Sequence, residues 1–216
     1  MKVTPLKLEV SESIGKVSAE LIAPDSLKAI ITLAHGAGAG MNHPFMTALA
    51  NELAQRSIAT LRFNFPFTEQ KKKRPDFPAV AHKTIEVAIS KTHELIPNTP
   101  LFVSGKSFGG RMSSQLLSKT QFDFVKGIIF FGFPLHPPGK PAIDRAEHLK
   151  DVKVPMLFLQ GTKDELATWN LMEQVTNELS LATLYKLDGA NHAFKSGKQN
   201  LIPILAQATD EWVEKI

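Results

Sequence analysis

Apolar and polar positions along the chain change period several times, and each change marks a different element. Leu6 to Val10 alternates, Val17 to Ile22 does so loosely, and Ser11-Glu12-Ser13-Ile14-Gly15 lies between them; this predicts an antiparallel hairpin. Ala29 to Ala34 is instead a continuous apolar run, as expected of a strand covered on both faces, and Ile58 to Phe63 reads as another buried strand. Met46, Leu49, Ala50 and Leu53 recur at helical spacing after the first run. Ala81, Ile85, Ala88, Ile89, Thr92 and Ile96 do so after Pro78, with Asp76 as the expected cap. Further strands are predicted at Leu101–Val103, Val125–Phe131, Val154–Gln160 and Ala182–Leu187. Helical patterns follow at Met112/Leu116/Leu117, Leu171/Val175/Leu179 and Leu201 to Trp212. Strands alternating with helices argue for a three-layer α/β/α sandwich whose mainly parallel sheet has antiparallel N-terminal strands. No repeat, linker or boundary interrupts the pattern, so one domain over 1–216 is expected.

Composition narrows the picture a little. With 43% hydrophobic and 21% charged residues the chain reads as globular, and at 216 residues it can bury about 70% of its unfolded surface without staples. It has no cysteine, which excludes a disulfide framework and thiolate metal sites. The N-terminus shows no secretory pattern and no run approaches a membrane span, so a cytoplasmic protein with no membrane partner is expected. The net charge of +4 comes from Lys71-Lys72-Lys73-Arg74 alone, since the other 21 basic residues balance 21 acidic ones. So local a basicity does not point to nucleic acid. The run is either a solvated loop or an anchor for an acidic substrate or partner.

The strongest chemical signal is Gly105-Lys106-Ser107-Phe108-Gly109, set between an apolar strand and a helical stretch. A serine held on so tight a turn needs neighbours without a Cβ at the positions two before and two after it. The same residues resemble the end of a phosphate-binding P-loop, but Pro100 stands where its first glycine belongs and no glycine-rich cradle precedes it. In open parallel sheets, ligands bind beyond the carboxyl ends of the strands. His35-Gly36-Ala37, Ser107, Asp164 and His192 all fall just after predicted strands. A serine nucleophile needs a base, and an imidazole base needs an acid to orient it. Ser107, Asp164 and His192 supply these in that chain order.

Four stretches then carry a resemblance: His35-Gly36-Ala37-Gly38, Gly105 to Gly109, Gln160-Gly161-Thr162-Lys163-Asp164-Glu165 and Gly189-Ala190-Asn191-His192. Together they resemble the α/β-hydrolase superfamily, near its dienelactone-hydrolase-like branch, over nearly the whole chain. Asn64-Phe65-Pro66-Phe67 and Phe133-Pro134-Leu135-His136-Pro137-Pro138 are further similar to a branch of small predicted hydrolases, which includes a module of a chromatin-complex subunit. The resemblance implies a serine esterase with Ser107 as nucleophile, His192 as base and Asp164 orienting it. It also implies an oxyanion hole from the backbone N–H groups of Ala37 and Phe108, with Gly36 and Gly38 admitting the substrate. No cofactor or metal is implied. A catalytically silent binding module, or acyl transfer or peptidase work on the same triad, is the alternative reading.

The remaining residues are read more plainly. Glu165 and Asp188 are the competing acids near the histidine. His35 is expected to brace its turn, and the other histidines show no metal spacing, with His136 a possible pocket residue. Phe65, Phe67 and Phe133 follow strands and either wall an acyl pocket or pack in the core. Only a proline-rich connection separates Gly132 from Val154, too short for a lid domain, which favours small or soluble esters as the substrate.

Overall fold

The computed structural model describes residues 1–216. Strands β1 (Lys2–Ser11), β2 (Gly15–Ala23), β3 (Ala29–Ala34), β4 (Ile58–Phe63), β5 (Leu101–Lys106), β6 (Val125–Phe131), β7 (Met156–Gly161) and β8 (Ala182–Leu187) form one sheet in the order β1-β2-β4-β3-β5-β6-β7-β8. β1, β2 and β4 pair antiparallel, and every pairing from β4 through β8 is parallel. This is the mainly parallel sheet with antiparallel N-terminal strands that the alternation of elements predicts.

Six helices cover the sheet: α1 (Pro44–Ala54), α2 (Pro66–Glu69), α3 (Pro78–Leu95), α4 (Phe108–Leu117), α5 (Trp169–Asn177) and α6 (Ile202–Val213). The two cores follow from the period-2 geometry of the strands, which sends alternate side chains to opposite faces. On one face Ile30, Val103 and Phe130 meet Ile85 and Ala88 of α3, Met112 of α4 and Met172 of α5. On the other, Ile31, Phe102 and Leu159 meet Leu49 and Leu53 of α1 and Leu205 and Trp212 of α6. All six positions of β3, β4 and β7 are buried, which is why those stretches lack alternation.

Arg62 interrupts the apolar run of β4 and is 2% exposed. It is paired with Glu20 of β2 and donates to the Met41 carbonyl at 2.9 Å and to Thr47 Oγ1 at 2.7 Å. A charge so buried persists only with partners of this kind.

Four local features depart from the pattern. α2 lies in what reads as loop, and a 3-10 helix (Asp144–Asp151) fills the connection between β6 and β7. A two-residue hairpin, β9 (Lys195–Ser196) with β10 (Gln199–Asn200), precedes α6. Asp76 does not cap α3: its N-cap is Phe77, without a side-chain bond, and Asp76 Oδ2 accepts the Phe67 N–H at 2.9 Å instead. Proline at the first turn of α3 removes one of the donors that a cap would satisfy. No lid domain is inserted between strands, and no helix is long and apolar enough to cross a membrane.

Candidate active site

Ser107 sits at the junction of β5 and α4 with φ 52° and ψ −115°, a left-handed backbone that a side chain rarely tolerates. Two glycines make the turn possible. A Cβ on Gly105 would overlap the Gly110 nitrogen and the Gly109 carbonyl carbon. One on Gly109 would lie 2.5 Å from the Ala34 carbonyl oxygen and 2.7 Å from that of His35. The helix thus starts pressed against the ends of β3 and β5, and Ser107 Oγ stands above the sheet edge.

His192 comes from the loop after β8, three strands from β5, so it must fold back about 14 Å across the sheet. Its ring bridges the other two residues. Nε2 lies 2.8 Å from Ser107 Oγ, and Nδ1 lies 2.8 Å from Asp164 Oδ2. Asp164 is 5% exposed. Its Oδ2 also accepts from Gln160 Nε2 at 2.6 Å, and its Oδ1 from the Leu166 N–H at 2.8 Å. These donors stabilise the carboxylate in its buried setting. A carboxylate on Nδ1 fixes the proton there and leaves Nε2 as the acceptor facing the hydroxyl. Of the competing acids, Asp188 is exposed and paired loosely with Lys186, whereas Glu165 accepts the backbone N–H of His192 at 3.3 Å.

Two residues to which the sequence assigns no role support this arrangement. Lys106 Nζ donates to the His192 carbonyl at 2.6 Å and lies 4.9 Å from the centroid of Phe194. Burial pushes the Lys106 ammonium down to about 8, and the charges of Asp164 and Glu165 pull it partway back. Gln160 ties the acid to the rest of the rim by accepting the Phe133 N–H at 2.8 Å. The variable position of G-x-S-x-G carries no sequence signal for such a role. A lysine followed by a serine reads first as a P-loop fragment.

Ala37 and Phe108 flank Ser107, and the Ala37 N–H has no partner within the protein. Gly36 and Gly38 line the space on the His192 side of Ala37 and Ser107, Gly36 with its Cα facing the Lys106 carbonyl and Ser107. His35 lies beneath as a brace. Its Nδ1 faces the Gly36 carbonyl at 2.8 Å, and Nε2 accepts the Phe65 N–H at 3.1 Å, so the ring is held neutral. Burial drives its pKa to about 4, against the pull of the Gly36 carbonyl. Asn64 extends the brace, accepting the Met41 N–H at 2.9 Å and donating to Glu69 at 3.0 Å. The Asn64–Phe67 stretch is therefore scaffold.

Phe65 and Phe133 do not wall a substrate pocket. They are 0% and 1% exposed, packed edge-on against Phe108 and Phe130 respectively. Both residues follow strands, but their rings turn back over the strand ends, where burying apolar area outweighs lining a wet rim. Phe67, 2% exposed, belongs to the same cluster. His136 is structural too, facing the Pro137 carbonyl through Nδ1 and accepting the Thr168 N–H through Nε2.

Two cavities of about 470 Å³ each open at Ser107. One runs past His192 toward Phe45 and Met46. The other runs past Phe108 toward Arg111, Arg145 and Arg74, roofed by prolines of the β6–β7 connection.

This geometry can be set beside known proteins. A family model described as an alpha/beta hydrolase domain matches residues 27–213. A dienelactone hydrolase from Anabaena variabilis is 19% identical, with 99% of this chain and 97% of that one covered and a TM-score of 0.78. A lidless α/β serine hydrolase from Xanthomonas campestris is also 19% identical, covering 98% and 95%, at 0.78. The esterase domain of a Rhodothermus marinus protein is 15% identical, covering 100% and 99%, at 0.75. At such identities the structures share the fold, while the family match takes in most of the chain: the protein belongs to the alpha/beta hydrolase domain family.

Proposed function

We propose that the protein is a serine hydrolase of carboxylic esters, acting through an acyl-enzyme on Ser107. The observation that carries this is the continuous chain Asp164–His192–Ser107, with both links at 2.8 Å and the serine on a left-handed turn. His192 Nε2 takes the Ser107 proton as Oγ forms a bond to the acyl carbon. The Ala37 and Phe108 N–H groups receive the charge on the carbonyl oxygen. His192 then returns the proton to the leaving alkoxide as the ester C–O bond breaks. Water, deprotonated by the same imidazole, attacks the acyl-serine; the acid leaves and Ser107 regains its proton. Losing one oxyanion donor in such a site costs about a hundred- to a thousand-fold in turnover.

The absence of a lid domain favours small or soluble esters over long-chain lipids. The test is hydrolysis of a short-acyl p-nitrophenyl ester and labelling by a fluorophosphonate. In Ser107→Ala turnover is expected to fall about ten-thousand-fold or more, and labelling to vanish. Undiminished turnover in that variant, or no labelling of folded wild-type protein, overturns the assignment.

A further inference from the structure

Three arginines gather in the cavity beyond Phe108, and no carboxylate pairs with them. Arg111 on α4, Arg145 on the 3-10 helix and Arg74 at the end of the basic run all line it. None of the three forms an ion pair within the protein. Arg111 Nε is shut off from solvent with no hydrogen-bond partner. Arg145 has one long contact, 3.5 Å from Nη1 to the Pro134 carbonyl. The acid that shares the cavity is Asp76, whose Oδ2 is taken by the Phe67 N–H. Arg74 faces the Phe77 ring at 6.0 Å. Burial first, and then repulsion from Arg145, lowers the Arg111 pKa. The neighbouring His148 is driven down to about 4 by burial and, next, by the Arg111 charge. A buried guanidinium N–H without an acceptor is costly, and a planar fork of this kind is matched by an anion that accepts from it.

The side of the site on which this cavity lies fixes which part of a substrate reaches it. His192 must hand its proton to the leaving oxygen, and His192 lines the other cavity, with Phe45 and Met46. The alcohol therefore departs through the apolar cavity, and the acyl chain occupies the arginine-lined one. Resting on the hydrolase reading, we propose that the protein acts on esters whose acyl chain ends in an anion, a carboxylate or a phosphoryl group, held by Arg111 and Arg145 with Arg74 at the mouth. The basic run 71–74 is then split in role: all four residues are exposed, but Arg74 alone lines the cavity and belongs to the site.

The experiment compares three p-nitrophenyl esters of matched chain length: hexanoate, hydrogen adipate and 5-phosphonopentanoate. The wild type is expected to favour one or both anionic esters over hexanoate by about tenfold or more in kcat/KM, as one charge-assisted contact allows. The arm with the larger preference identifies the anion. In Arg111→Gln/Arg145→Gln the ratio is expected to fall toward one, whereas Lys126→Gln, an exposed change on β6, keeps it. Should the double variant not fold, Arg145→Gln alone removes only the 3.5 Å contact and serves instead. Calorimetric titration of free adipate and inorganic phosphate into Ser107→Ala reads the subsite without turnover. Arginine-dependent binding there upholds the subsite even where no ester is hydrolysed. Hydrolysis of hexanoate with a ratio near one in the wild type, and no arginine-dependent binding, overturns the subsite and leaves the hydrolase reading standing.

Discussion

Two loops deliver Ser107 and His192, and they are held by different forces. The turn at Ser107 is fixed by backbone against backbone: Gly105 and Gly109 press the start of α4 onto β5 and β3, and the serine has one strained conformation open to it. The loop at His192 is fixed by side chains reaching in from elsewhere. Lys106 holds its carbonyl, Glu165 its N–H and Asp164 its ring, and Asn191 Oδ1 accepts from the N–H groups of Ala193 and Lys195. Steric confinement is stiff and local. A network of polar contacts can be retuned by charge, and its members sit far apart along the chain.

The contrast breaks most sharply at Gly109. Gly109→Ala places a Cβ 2.5 Å from the Ala34 carbonyl, and the clash is with backbone, which has no rotamer to change. It is expected to cost at least about 3 kcal/mol, beyond ordinary overpacking, and to abolish fluorophosphonate labelling. Urea denaturation and labelling check both; a variant of wild-type stability and reactivity would remove the steric account of the turn.

Next in size is the acid. Asp164→Asn keeps the shape of the side chain, but its amide disfavours a proton on Nδ1 and so turns Nε2 away from its role as acceptor. We expect kcat for a short ester to fall about a thousand- to ten-thousand-fold. Glu165 and Asp188, each a contender in the sequence, make no bond to the ring, so neither replaces it.

The same contrast explains what the sequence discloses. Largely apolar runs declare β3, β4 and β7 because burial on both faces is written residue by residue, with Arg62 the exception in β4. Gly105, Ser107 and Gly109 are legible because the turn's requirement falls within five residues. Asp164 and His192 are found by chain order after strands, a rule of topology. Lys106 is not: its partner lies 86 positions away, and nothing near it in sequence announces the contact. Phe65 and Phe133 mislead for the mirror reason, since following a strand puts a residue at the rim but does not decide which way its ring turns. Arg111 and Arg145 are 34 positions apart and meet only because the β6–β7 connection folds over α4.

A smaller effect distinguishes the charged contact from simple packing. Lys106→Met keeps much of the apolar contact with Phe45 and Phe194 but loses the donor to the His192 carbonyl. We expect kcat to drop about tenfold with KM little changed, as one charge-assisted hydrogen bond is worth. The pH dependence has two opposite signs. Below about 8 the ammonium is charged and grips the carbonyl; above it the neutral amine grips less, so wild-type kcat should decline on the alkaline side. Stability moves the other way. The folded pKa lies below the ordinary 10.5, so between about 8 and that value the unfolded chain binds more protons and stability rises with pH. Both slopes should vanish in the methionine variant.

The smallest effect probes how the loop's two ends are coupled. Glu165→Gln retains an oxygen for the long 3.3 Å bond from the His192 N–H, so kcat/KM should stay within about threefold of wild type. What changes is the field on Lys106, whose charge Glu165 helps to keep. Without that carboxylate, burial pushes the ammonium lower still, and the alkaline decline in kcat should begin at a lower pH than in the wild type. A decline that stays in place when Glu165 is neutralised, yet disappears in Lys106→Met, would mean that Lys106 feels Asp164 alone. One that stays in place in both would belong to another group, and the histidine loop would then be held by its packing, as the serine turn is.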